Sequence, residues 1–149
     1  MKQVKSAMLL ALAACCVTLF SFRIAGGDHF EVWINNKKMI DQAVYKNESV
    51  KSLPLDQLHN NDQLRIYYSH CGTIGKGRTV SIRNEDNKVL KTWSFGDATG
   101  KSFMICPAKE ILALHPSGKN LSLYYASREL PEGRLLASIV DNGTKTAGR

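Results

Sequence analysis

His70-Cys71 and Met104-Ile105-Cys106 hold the side chains best suited to chemistry in this chain. Of four cysteines, Cys15 and Cys16 lie in an apolar N-terminal run, leaving Cys71 and Cys106 as an even pair in the remainder. In an oxidising compartment two such cysteines are expected to form a disulfide. It would close a loop of 35 positions, for which chain entropy gives about 3 to 4 kcal/mol. The alternative is a soft metal site, with His70, Cys71, Met104 and Cys106 offering imidazole, thiolate and thioether to copper or zinc. No C-x-x-C or H-x-x-H spacing accompanies it, so no metal or other cofactor is expected. A nucleophilic Cys71, in a thiol enzyme or hydrolase, would need a base and an orienting group that the sequence does not name.

A second candidate follows at once. Gly72-Thr-Ile-Gly75-Lys76-Gly77-Arg78 is glycine-rich and basic, but its spacing is not that of a Walker A loop and a strand pattern follows it. Converging backbone N–H groups could hold a phosphate, sulfate or carboxylate. Residues 65 to 101 carry seven basic and three acidic side chains, and Lys76, Arg78, Arg83 and Lys88 are the expected anion-binding set. Trp33, Tyr67 and Tyr124 fall opposite the apolar stripes of their segments, where exposed rings could stack on sugars as in a carbohydrate-binding module, or be consumed by cross-strand pairing.

These side chains need a scaffold, and the apolar residues recur at every second position, the strand period. Phe30, Val32 and Ile34 alternate with polar or outward residues, as do Leu64, Ile66 and Tyr68, then Val80 and Ile82, then Val89, Trp93 and Phe95, then Leu121, Leu123 and Tyr125. Asn35-Asn36-Lys37 and Asn84-Glu-Asp-Asn87 supply hairpin turns, Ser117 to Asn120 leads into a late strand, and Arg134 to Val140 adds a last one. Pro107 to Leu114 breaks the rule with proline before good helix formers, and His115-Pro116 stops it. A weak repeat links Pro54, Leu58-His59 and Leu64-x-Ile-Tyr-Tyr68 with Pro107, Leu114-His115 and Leu121-x-Leu-Tyr-Tyr125. The expected fold is an all-β antiparallel sandwich, Ig-like or jelly-roll-like, with one short connecting helix.

The first 27 residues set the address. Lys2 and Lys5 precede the apolar stretch Ala7 to Phe20, and Ala25-Gly26-Gly27 provides the small residues of a cleavage site before Asp28. The expected organisation is a signal peptide over 1–27, one sandwich domain over 28–140 and a polar, disordered tail over 141–149. Leu12-Ala13-Ala14-Cys15 also fits a lipobox, in which Cys15 would be lipidated; membrane attachment is expected only through that residue or a retained leader. Lys2, Lys5 and Arg23 leave with the signal, so the chain's net charge of +7 falls to +4. Export and the lack of any recognition motif weigh against nucleic acid.

The leader, the His70-Cys71-Gly72 and Gly75-Lys76-Gly77-Arg78 run, and Glu129-Leu-Pro-Glu-Gly-Arg-Leu-Leu-Ala-Ser-Ile139 together resemble small exported β-rich proteins of Gram-negative bacteria. That resemblance implies an envelope address and a β fold and brings no activity with it. The expectation is a periplasmic or envelope-associated, non-enzymatic domain with a binding or structural role, its partner an anionic envelope component, a glycan or a protein.

Overall fold

The computed structural model describes residues 27–45, 48–115 and 119–141. The leader up to residue 26, with Cys15, lies outside them, as do residues 116–118 and the tail from 142. Within the described residues nine strands form: β1 His29–Ile34, β2 Lys37–Ala43, β3 Lys51–Pro54, β4 Gln63–Ser69, β5 Arg78–Arg83, β6 Val89–Phe95, β7 Met104–Pro107, β8 Leu121–Ser127 and β9 Leu130–Val140. Among the described residues one helix, α1 Ala108–Ala113, and a 3-10 turn at Leu55–Gln57 accompany them. Among the described residues no helix is long and apolar enough to cross a membrane.

Two sheets face each other, one ordered β2-β1-β4-β7 and the other β3-β9-β8-β5-β6. Strand alternation explains the layering. In β8, Leu121, Leu123 and Tyr125 are buried while Ser122, Tyr124 and Ala126 turn outward; in β4, Leu64, Ile66 and Tyr68 point inward. With Phe30, Val32, Ile82 and Ile139 they build one core, in which each fully buried aliphatic side chain contributes about 1.5–3 kcal/mol. Every pairing is antiparallel except β3 with β9, which is parallel. The expected all-β sandwich forms, and this one parallel pair is the exception to its antiparallel pairing. β3 lies at the edge of the second sheet and is only four residues long, so Pro54, which has no N–H to donate, closes it where no further partner is needed.

The repeat maps onto equivalent positions. Pro54 ends β3 and is followed by the 3-10 turn and β4; Pro107 ends β7 and is followed by α1 and β8. Tyr68 and Tyr125, which correspond in the two copies, stack across the core with centroids 4.1 Å apart. Helix α1 starts at Ala108 behind Pro107, buries Ala108 and Ile111, and ties Ala108 N–H to the Asp62 carbonyl at 3.0 Å. The β1–β2 turn is built on Asn35, whose positive φ of 53° asparagine tolerates. Its side chain donates to Asp62 and accepts from Gln63 N–H, fixing the turn against the start of β4.

Candidate binding face

The two cysteines are free, Cys71 exposed and Cys106 buried. The sheet register explains why the expected disulfide is missing. Cys106 on β7 sits opposite Leu64, and β4 then runs five residues further to Ser69, about 17 Å, before Cys71 is reached. A bond requires Cα atoms about 4.4–6.8 Å apart. The metal set fails for the same reason: Met104, opposite Ile66, and Cys106 both face the core, whereas His70 and Cys71 lie beyond the far end of β4. Burial pushes the Cys106 thiol up to about 12.

His70 instead joins the two sheets at that end. Its Nδ1 lies 3.4 Å from Asp28 Oδ2, and its Nε2 lies 3.1 Å from both Tyr125 Oη and Ser127 Oγ. Tyr68 Oη donates to the same Asp28 oxygen at 2.7 Å. Burial first, and that hydrogen bond second, push the Tyr68 phenol well above its ordinary value; burial also raises that of Tyr125. Carboxylate, imidazole and hydroxyl follow the order of a serine triad, with the 3.4 Å carboxylate–imidazole separation long for one. Access does not match: Ser127 is 5 % exposed, and Gly75 covers the site so closely that a Cβ there would lie 2.8 Å from Nε2 and 2.6 Å from the Tyr125 hydroxyl. Cys71 Sγ lies 3.9 Å from Asp28 Oδ1.

The glycine-rich loop does gather anions, but they are the protein's own. Lys76 N–H donates to Glu129 at 2.9 Å and Gly77 N–H to Asp97 at 2.9 Å, while Gly72 N–H donates to Ser69 Oγ at 3.0 Å. The Lys76 N–H bond is the main cause that holds the Glu129 carboxyl below its usual range. Arg78 is 4 % exposed and spends its guanidinium on the carbonyls of Gly96 and Ser102. Arg83, at the other end of β5 and so about 17 Å away, lies 4.0 Å over the Tyr124 ring and donates to Asn87. Lys88 is exposed beyond the same end. The expected set of Lys76, Arg78, Arg83 and Lys88 is therefore split between two ends of one strand and does not converge.

A different cluster does converge, on the outer face of the β2-β1-β4-β7 sheet. Trp33 from β1 and Tyr67 from β4 both contact Phe103, just before β7, with centroids 5.9 and 6.0 Å apart. Each ring carries a cation: Lys38 stands 5.2 Å from Trp33, Arg65 4.5 Å from Phe103, and Lys101 5.0 Å from Tyr67 and 5.5 Å from Phe103. Beneath them Glu31, 5 % exposed, accepts from Trp33 Nε1 at 2.8 Å and Lys101 Nζ at 2.8 Å, with Lys38 Nζ at 3.5 Å. Burial alone would raise its pKa, but the bonds from Lys101 and Trp33 and the charges of Lys101 and Lys38 outweigh it and hold the carboxyl below the usual range. Arg65 is further fixed by donating to Asn35 O and Asn36 Oδ1, and its Nε has no partner. Long cationic side chains ordinarily lose much freedom on binding a ligand. Here rings and a buried carboxylate hold them in place beforehand.

Sequence reasoning placed Trp33 and Tyr67 outward but left Phe103, Lys38, Lys101 and Glu31 out of the site. Phe103 alternates with Met104, which points inward, and that period was the available signal. His29 and Asp41 adjoin Glu31 closely enough for three ligand atoms to surround an ion. Lys38, His29 and Lys101 already pair with these carboxylates. No protein-family model, curated protein or solved structure matches this chain.

Proposed function

We infer that this is a non-enzymatic, exported binding domain of the cell envelope, which holds an anionic component on the outer face of the β2-β1-β4-β7 sheet. The observation that carries the reading is the layer of Lys38, Arg65 and Lys101 over Trp33, Phe103 and Tyr67, with Glu31 sealed below. Three cations stand over these rings against the one buried carboxylate of Glu31, so the surface suits phosphate, sulfate or carboxylate groups better than the bare CH faces of a neutral sugar. Closure of His70 and Ser127 under Gly75 supports a role without catalysis. The leader supports export.

The test is retention on phosphatidylglycerol vesicles and on a sulfated glycan matrix in a salt gradient. Wild type should bind at low salt and release as the Debye length shrinks towards about 8 Å. Replacing Lys38, Arg65 and Lys101 together with alanine should remove retention, whereas Lys76→Ala with Lys88→Ala should leave most of it. Wild-type protein that passes through at low salt, or equal loss from the Lys76 and Lys88 pair, would overturn the reading.

A further inference from the structure

The cationic face does not end at Tyr67. Tyr67 and Lys101 also form one wall of a cleft of about 450 Å³, whose other walls are the turn at Thr73 and Ile74 and the loop at Thr99 and Gly100. That size falls within the range of about 300–1,000 Å³ typical of small-molecule sites. The loop is held at both ends. Arg78 grips the carbonyls of Gly96 and Ser102, and Asp97 accepts from Gly77 N–H. Between these clamps no backbone hydrogen bond among the described residues engages the N–H groups of Thr99, Gly100 or Lys101. Gly100 has a positive φ of 69° with open space around its Cα, and the Thr99 side chain has no hydrogen-bond partner among the described residues. Asp97 is the only carboxylate in either loop, and its bond to Gly77 occupies it.

Thr99, Gly100 and Lys101 thus line the cleft together with Tyr67, Thr73 and Ile74, and the half-exposed Lys101 ammonium answers Glu31 at the same time. We propose that this cleft is the subsite for an oxyanion-bearing sugar, a phosphate or sulfate monoester on a pyranose ring, with the rest of the ligand crossing Tyr67 and Phe103 towards Trp33. The proposal rests on the reading of the sheet face as an anion-binding surface, and it names the class of ligand that face takes. Lys101 and the loop N–H groups would hold the ester oxygens, as backbone donors hold anions in other concave loops. Tyr67 and the Thr99 hydroxyl would meet the ring. Arg78 is then a positioning residue: it shapes the cleft from behind and touches no ligand.

The experiment follows the amide resonances of the ¹⁵N-labelled exported protein during titration with glucose 6-phosphate, glucose 6-sulfate, glucose and inorganic phosphate. Thr99, Gly100 and Lys101 should move with the two esters and respond at least about tenfold more weakly to glucose or phosphate alone. A response to inorganic phosphate equal to that of the esters would reduce the site to one for a simple ion and overturn the proposal. Affinity for a heparin-derived hexasaccharide separates cleft from face. Thr99→Trp, which fills the cleft, should weaken it about tenfold, and Thr99→Glu, with less bulk, should do the same by charge. If both variants bind as wild type while Lys38→Ala with Arg65→Ala binds weakly, the face stands and the cleft is refuted. If the Thr99 variants lose binding while the Lys38 and Arg65 pair does not, the cleft stands and the face fails.

Discussion

β4 and β8 are central to their sheets and carry nearly the same residues, Leu-Arg-Ile-Tyr-Tyr and Leu-Ser-Leu-Tyr-Tyr, yet they present different surfaces. Their inner tyrosines, Tyr68 and Tyr125, meet each other and close the core around His70. The outer ones diverge. Tyr67 stands beside Phe103 beneath Lys101, with Trp33 and Arg65 completing the layer; Tyr124 carries Arg83 and is flanked by Ser81 and Ser122. Equivalent strands thus share a buried role, fixed by their own alternation, while what they offer to solvent is decided by the strands beside them. β1 and the approach to β7 bring rings and several charges, and β5 brings small hydroxyls and Arg83 alone over Tyr124.

The sharpest way to break this comparison is to remove the inner pair. Tyr68→Ala and Tyr125→Ala should each cost about 3–5 kcal/mol, measured by urea unfolding. Because the rings touch, the double variant should lose less than the sum; strict additivity would mean that the stacked pair does not couple the sheets. Gly75→Ala comes next, at about 1–3 kcal/mol, because its Cβ would meet Tyr125 Oη, His70 Nε2 and Glu129 Oε2 within 3 Å. Tyr125→Phe removes the closest of those atoms and should recover part of the loss, and a thermal shift shows whether it does. The smallest effect is acid sensitivity on the Tyr67 side. The Glu31 carboxyl is depressed in the folded chain, so its contribution is complete above the ordinary glutamate value of 4.5 and is lost as pH falls through the lower folded value. Glu31→Gln should flatten that acid limb of the stability curve, and Arg83→Ala on the other face should leave it unchanged.

Much of the scaffold is written in the alternation of Phe30 to Ile34, Leu64 to Tyr68 and Leu121 to Tyr125, because one face of each strand must be buried. β2 and β3 are harder to read. A bulge opposite Val32 and Trp33 interrupts the pattern of β2, and β3 buries only Leu53 completely. Site chemistry is less legible still, because register between distant strands has no local signature. Nothing near Cys71 in sequence says that Cys106 lies opposite Leu64, so counting cysteines suggested a bond that the sheet forbids. Likewise Arg78 reads as a free cation until the Gly96 and Ser102 carbonyls are seen to consume it.

Asp28 was described above as a hydrogen-bond partner of Tyr68, but it also bears on the order of events in biogenesis. Its carbonyl accepts from Val44 N–H at 2.7 Å, its carboxylate is held by Tyr68, and a Cβ on Gly27 would lie 3.2 Å from the Val44 carbonyl. The Gly27–Asp28 peptide, where the leader is expected to be cut, is therefore stitched along the edge of β2. A processing enzyme needs that stretch extended and unpaired. If the expected cut is made at this peptide, it has to come before β1 docks, because the docked backbone is already paired.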